Sequence, residues 1–289
     1  DGELFVFGSE SADTVTVTDS EVSVQTPGGD VRFSRRSTGP VFVQTYDGDD
    51  EIDTTGSSSS ATIDSGDGAD SVRTGSGNDL IDAGTGDDVI DSGNGDDLII
   101  GGAGNDSIGA GNGDDTVYGL AGDDFIRGGG GRDSLSGGDG DDQLLGQGSA
   151  GDSLSGGAGD DTLDGGSGGD TLIEFVSDRE SILTSRSLTG NGTDSIKNIE
   201  RAEITGDDRS NLIDASEFEG TVTLNGGAGR DTLIGSAFND QLRGDSGSDV
   251  IEGGDGNDYI DGWSGSDTLS GGNGNDRLIG RGSSDTLTG

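Results

Sequence analysis

Cysteine, histidine and methionine are absent from the 289 residues, and the chain holds a single lysine, Lys197, a single tryptophan, Trp263, and two prolines. Each absence removes a class of chemistry. Without cysteine there is no disulfide framework and no thiol nucleophile. Without histidine there is no Ser-His-Asp triad, and zinc and copper, which favour thiolate, thioether and imidazole ligands, fit poorly. Positive charge is also scarce. Against 58 Asp and Glu stand 15 Lys and Arg, a net charge of −43 with a pI near 4.1, which argues against nucleic acid or anionic lipid as a partner. No apolar run is long enough to span a membrane, so no membrane insertion is expected, and the residues from Asp1 onward do not read as a charged-then-apolar leader. Hydrophobic residues make up 26% of the chain and aromatics 4%, and together with 61 glycines this composition on its own reads as disorder.

What the chain has instead is a period. Aspartates recur at Asp70, Asp79, Asp88, Asp97, Asp106, Asp115, Asp124, Asp133 and Asp142, each after a glycine-rich turn and each followed two residues later by one aliphatic residue. The register opens loosely at Gly48-Asp49-Asp50-Glu51-Ile52, takes one extra residue near Gly146 and resumes with Asp152, Asp161 and Asp170. After a pause it returns with Asp231, Asp240, Asp249, Asp258, Asp267, Asp276 and Asp285. Roughly nineteen copies fit the nine-residue repeat.

Nine residues suit one tight turn and a three-residue strand with a single inward side chain, so two repeats close one flattened coil. The inward residues Val72, Ile81, Ile90, Ile99, Ile108, Val117, Ile126, Leu135, Leu144, Leu154, Leu163 and Leu172 then stack in two facing columns. This core is thin. Stacked turns bring carboxylates of neighbouring coils together, and their repulsion calls for a cation between them. Carboxylate and carbonyl oxygens suit Ca²⁺, with several ions per chain, and the aspartates named above, Asp50 included, are its candidate ligands. Ion binding then supplies folding free energy, the ion-free chain is expected to be largely unfolded, and acid is expected to unfold the loaded chain.

The clearest copy, Gly101-Gly102-Ala103-Gly104-Asn105-Asp106-Ser107-Ile108-Gly109, resembles the glycine-rich nonapeptide of the hemolysin-type (RTX) calcium-binding family. The expected fold is all-β, a right-handed parallel β-roll or β-helix solenoid with stacked calcium-binding turns. Many proteins that this chain resembles leave the cell by type I secretion. Calcium sites of the millimolar range work where calcium is abundant, so the chain is expected outside the cell, secreted or at the surface.

Four segments are expected. Residues 1–45 alternate as short strands and read as a β-rich lead-in to the solenoid, or as a separate small β-domain. Residues 46–173 form a first calcium-binding array and 226–289 a second. Between them 174–225 loses most glycine turns, which suits wider parallel coils without calcium, with Asn211 and Asn225 available for an amide ladder. Carboxylate pairs such as Asp87-Asp88 sit at the fifth and sixth places of the turn, which accounts for them without catalysis. Leu80, Leu98, Ile100 and Tyr118 are expected on one outer face, and Trp263 at an edge as a stacking platform for a ligand.

The function expected is that of a calcium-dependent secreted structural protein and not an enzyme. The final repeat runs without a cap into Gly289, and the apolar strand Leu4-Phe5-Val6-Phe7 suits such an open edge on the next molecule, so head-to-tail self-association into a filament is expected. A calcium-binding carrier or adhesion module of a larger secreted enzyme or adhesin is the alternative.

Overall fold

A computed structural model describes residues 3–27, 29–34 and 39–289, and every regular element among them is a β-strand. The first compact unit runs from Asp1 to Ser153, the second from Leu154 to Gly289.

In the first unit two parallel sheets face each other. One carries Leu4–Phe7, Val41–Gln44, Ala61–Asp64, Leu80–Thr85, Leu98–Ala103, Thr116–Ala121 and Ser134–Asp139 in that order. The other carries Ser71–Arg73, Val89–Asp91, Ser107–Asn112, Phe125–Gly130 and Gln143–Gln147. Leu80 pairs with Leu98 and Leu98 with Thr116, while Val89 pairs with Ser107 and Ser107 with Phe125, so two repeats make one coil. Alternation along each strand sends one side chain in and the next out. Ile81, Ile99, Val117 and Leu135 fill one inner column, and Val72, Ile90, Ile108, Ile126 and Leu144 the other, all at most 2% exposed. The extra residue foreseen near Gly146 lengthens one step: the amide of Asp133 reaches Asp152, 19 residues on, where its neighbours reach 18.

The lead-in is not purely parallel. Thr14–Thr18 lies parallel to Glu51–Gly56 but antiparallel to Glu21–Thr26, which pairs antiparallel with Gly29–Ser34. Leu4–Phe7 lies parallel to Val41–Gln44.

In the second unit one sheet stacks Thr171–Val176, Arg201–Gly206, Thr221–Asn225, Gln241–Arg243, Tyr259–Asp261 and Arg277–Ile279, all parallel. The opposite side runs through Leu212–Glu217, Thr232–Ile234, Val250–Asp255, Thr268–Asn273 and Thr286–Thr288. The expected wide parallel coils between the arrays hold only in part. Glu180–Thr184, Ser187–Thr189 and Thr193–Lys197 form an antiparallel meander, and from it Thr193–Lys197 lies parallel to Thr162–Asp164 and Glu180–Thr184 parallel to Leu212–Glu217.

Candidate metal centre

The repeat turns the chain tightly, and glycine takes the fourth place in most copies. Gly104 has φ +135°, and a Cβ there would collide with the carbonyl of Gly86 one coil away. Two residues later the aspartate carboxylate turns inward under the turn. The backbone N–H of Asp88 donates to Asp106 Oδ1 at 2.9 Å, that of Asp106 to Asp124 Oδ1 at 2.8 Å, and that of Asp97 to Asp115 Oδ1 at 2.8 Å. The aspartates thus form a ladder in which each Oδ1 accepts the amide of the aspartate one coil earlier. The carboxylates were expected to converge on one another. They are instead interleaved with backbone amides, and among the described residues no three acidic side chains gather at one point.

The second oxygen is the informative one. Oδ2 of Asp88, Asp106, Asp115, Asp124, Asp133, Asp231, Asp249 and Asp258 is buried and accepts no hydrogen bond. An unpaired buried carboxylate oxygen is costly unless something else meets it. It faces the space above the first glycine of its own repeat. A Cβ added to Gly226 would lie 2.6 Å from Asp231 Oδ2 and 3.0 Å from the carbonyl oxygen of Gly244, and one on Gly244 would lie 2.5 Å from Asp249 Oδ2 and 3.1 Å from the carbonyl of Gly262. These two cradles are therefore each walled by a carboxylate oxygen and by a carbonyl oxygen of the next coil, as are those at Gly101, Gly119 and Gly253. Burial, with the charge of neighbouring aspartates, pushes Asp88 and Asp133 up to about 7. Asp106 and Asp124 are pushed up to about 6 by the same causes. Hard anionic and carbonyl oxygens fit calcium, and the rest of its shell would come from turn carbonyls, because carboxylates are too few at any one point among the described residues.

The other candidates fall into groups. Asp50, Asp70, Asp79, Asp97, Asp142, Asp152, Asp161, Asp170 and Asp267 are also buried, whereas Asp276 and Asp285 are half-buried while accepting the amides of Asp258 and Asp267. In the early coils a hydroxyl stands where later repeats have the first glycine: Thr74 Oγ1 and Ser92 Oγ donate to the carbonyls of Ser92 and Ala110 at 2.7 and 2.6 Å. Asp240 departs from its neighbours, because the amide of Ser236 donates to its Oδ2 at 2.7 Å and the Ser236 hydroxyl lies 3.0 and 2.9 Å from its two oxygens. Ser9 does the same for the buried Asp13, with its amide 2.5 Å from Oδ2 and its hydroxyl 3.1 Å from Oδ1.

Two features lie outside the expected pattern. Asp194 is buried and its Oδ1 accepts the amide of Asp161 at 3.2 Å, taking the sixth place of a copy, Gly190-Asn191-Gly192-Thr193-Asp194-Ser195-Ile196, that is legible in the insert. The exposed fifth residues form a second ladder of opposite direction: Asp87 Oδ1 accepts the amide of Asn105 at 2.8 Å, and Asn105 Oδ1 that of Asp123 at 2.7 Å. Amide ladders occur at this fifth place, through Asn239, Asn257 and Asn275. The expected pair Asn211 and Asn225 makes none, since Asn211 Nδ2 donates to the carbonyl of Asp178 at 3.0 Å while Asn225 belongs to the strand Thr221–Asn225 of the other sheet.

The family model of the RTX calcium-binding nonapeptide repeat matches this chain in overlapping stretches across residues 55–172 and again across 219–289, well over half its length. The chain belongs to the RTX calcium-binding repeat family. Both matched regions coincide with the stacked turns that carry the buried aspartates, and the RTX copy around Asp194 lies between them. No protein of curated function matches the chain.

Proposed function

We propose that this RTX chain is a structural β-roll of the extracellular space whose turns are completed by calcium. The observation that supports it best is the recurring buried Oδ2 without a hydrogen-bond partner, which at Gly101, Gly119, Gly226, Gly244 and Gly253 shares its cradle with a carbonyl of the next coil. An amide ladder already holds Oδ1, so a bound divalent cation meets the remaining oxygen and offsets the charge. Oxygen sites of this kind are filled at the calcium levels found outside cells, which favours a secreted or surface location. A structural role without catalysis follows from a chain whose repeated acids are all engaged in the turns.

End-to-end assembly is the finer part of the proposal. Among the described strands Leu4–Phe7 pairs on one side only, with Val41–Gln44, and it exposes Phe5 and Phe7. An unpaired apolar edge of this kind favours strand addition by a second copy.

The test is circular dichroism with sedimentation on the same samples. Adding calcium to the chelated chain is expected to raise a β spectrum, with magnesium at equal concentration giving little, and sedimentation at millimolar calcium is expected to show chains of copies. An equally strong β spectrum in excess chelator at about pH 7.5 overturns the calcium reading, and a strict monomer at high protein concentration overturns the assembly.

A further inference from the structure

In the second unit, three successive coils carry bulky residues in the left-handed region at one turn position: Asp245 at φ 65°, Trp263 at φ 65° and Arg281 at φ 58°. Glycine holds the comparable place in most other turns, such as Gly254 and Gly272. A β-carbon is unfavourable there, and strained backbone of this sort gathers where a side chain is needed for function.

What the strain secures is an ordered cluster. The guanidinium carbon of Arg243, from the preceding coil, lies 4.6 Å from the Trp263 ring centroid, and that of Arg281, from the following coil, lies 5.0 Å away. The indole is thus no bare stacking platform. Asp261 organises the group: although it sits at an outward strand position, it is only 3% exposed. Its carboxylate takes the Arg281 Nη2 donor at 2.6 Å, the Trp263 amide at 3.3 Å and lies 3.5 Å from the Tyr259 hydroxyl. Arg243 gives its Nε to Asp245, and its side chain stays 45% exposed.

This cluster walls a surface groove of about 400 Å³ whose other lining groups include Thr223, Asn225 and Gln241. Among the described residues the side chains of these three make no hydrogen bond. They stand in register across neighbouring strands, Thr223 beside Gln241 beside Tyr259, and Asn225 beside Arg243. A row of planar donors and acceptors with aromatic edges selects its ligand. Cations are not the match, because Asp261 is already held by Arg281. Polyanions are disfavoured by a chain of net charge −43. A largely apolar ligand would leave the amides and the guanidinium edge unpaired.

We infer that this groove binds a neutral saccharide, with Asn225, Gln241 and Arg243 hydrogen-bonding its hydroxyls and Tyr259 and Trp263 forming the rim. The inference goes beyond the calcium reading and fails separately from it, since the fold is read in the same samples. Trp263 is the only tryptophan, so its emission reports the groove without a label. In the calcium-saturated full chain, at least one of cellohexaose, maltohexaose and xylohexaose is expected to shift that emission. Gln241→Ala should weaken binding about fivefold while leaving the β spectrum and calcium count unchanged. Trp263→Gly, which removes the ring and relieves the backbone, should abolish saturation transfer from protein to sugar. The proposal is overturned if none of the three sugars moves the emission at about 10 mM, if Gln241→Ala binds as the wild type does, or if a hexuronate oligomer binds more tightly than every neutral one.

Discussion

Ser236 shows at the level of one residue how a turn of this repeat can meet its own carboxylate with protein donors. Its amide and hydroxyl satisfy Asp240, whereas the equivalent oxygen of Asp249, one repeat on, is buried and bare. The two aspartates share a ladder position, donating their own amides to Asp258 and Asp267 at 2.9 and 3.0 Å, so the difference lies in the turn alone. Serine in place of the second glycine of the repeat supplies two donors to the carboxylate and so replaces the charge compensation a cation would bring. Ser236→Gly removes the hydroxyl and puts at this place the glycine that Gly254 supplies to the turn of Asp258, whose Oδ2 is likewise buried and bare. Calorimetric titration of the variant is expected to show one additional calcium per chain; an unchanged count sinks this account of Asp240. The loss of the hydroxyl alone should cost the calcium-saturated protein only about 1 kcal/mol, read by denaturant unfolding.

At the level of the coil, glycine is required at some places and optional at others, and backbone geometry separates them. Gly104 has φ +135° and its missing Cβ would strike the Gly86 carbonyl, whereas Gly109, an outward strand residue, has nothing nearer to an added Cβ than Arg127 Nη2 at 3.7 Å. Gly104→Ala should therefore lose on the order of 1 to 3 kcal/mol or more of calcium-saturated stability, and Gly109→Ala should be neutral or stabilising by about 0.5 kcal/mol. Equal effects in thermal unfolding would show that the turn is not as tight as described. The same contrast explains what the sequence made legible. A nine-residue period with one aliphatic residue per copy admits little besides an eighteen-residue coil, so the buried columns of Ile81 and Ile90 follow from the period alone. The antiparallel strands Glu21–Thr26 and Ser187–Thr189 do not, because strand direction is set by which neighbour supplies the hydrogen bonds and short alternating runs carry no mark of it. The aspartate positions were legible for the same reason as the core, but the partition of each carboxylate into one oxygen for the amide ladder and one for the cradle was not. That division depends on the coil-to-coil offset, which composition and period leave unspecified. The copy around Asp194 keeps the spacing of the repeat, but the turns on either side of it have lost their glycines, and an isolated copy has no neighbours to fix its register.

For the molecule as a whole, charge and burial pull against each other, and protons and calcium offset the conflict in different ranges of pH. A chain with 58 acidic and 15 basic side chains repels itself, and the ladder buries part of that charge. Burial, reinforced by neighbouring aspartates, raises Asp88 and Asp133 from 3.8 to about 7 and Asp106 and Asp124 to about 6. These folded-state values stand above the unfolded ones, so the folded chain binds the extra protons. Their contribution to stability is fully present below the unfolded carboxyl range near pH 4 and is lost as pH rises through 6 to 7. Acid was expected only to unfold the loaded chain. For the chain without calcium the raised carboxyls add a second expectation: protons neutralise the same oxygens that a bound cation would meet. In chelator, then, the chain should hold its strongest β spectrum near pH 4, lose it between about pH 6 and 7, and recover it at pH 7.5 only when calcium is added. Circular dichroism along a pH series in chelator measures this directly. A chelated chain that gains β structure as pH rises from 4 to 8 would mean that the carboxyls are not desolvated by the coil, and the cradle built on their bare oxygens would fall with that result.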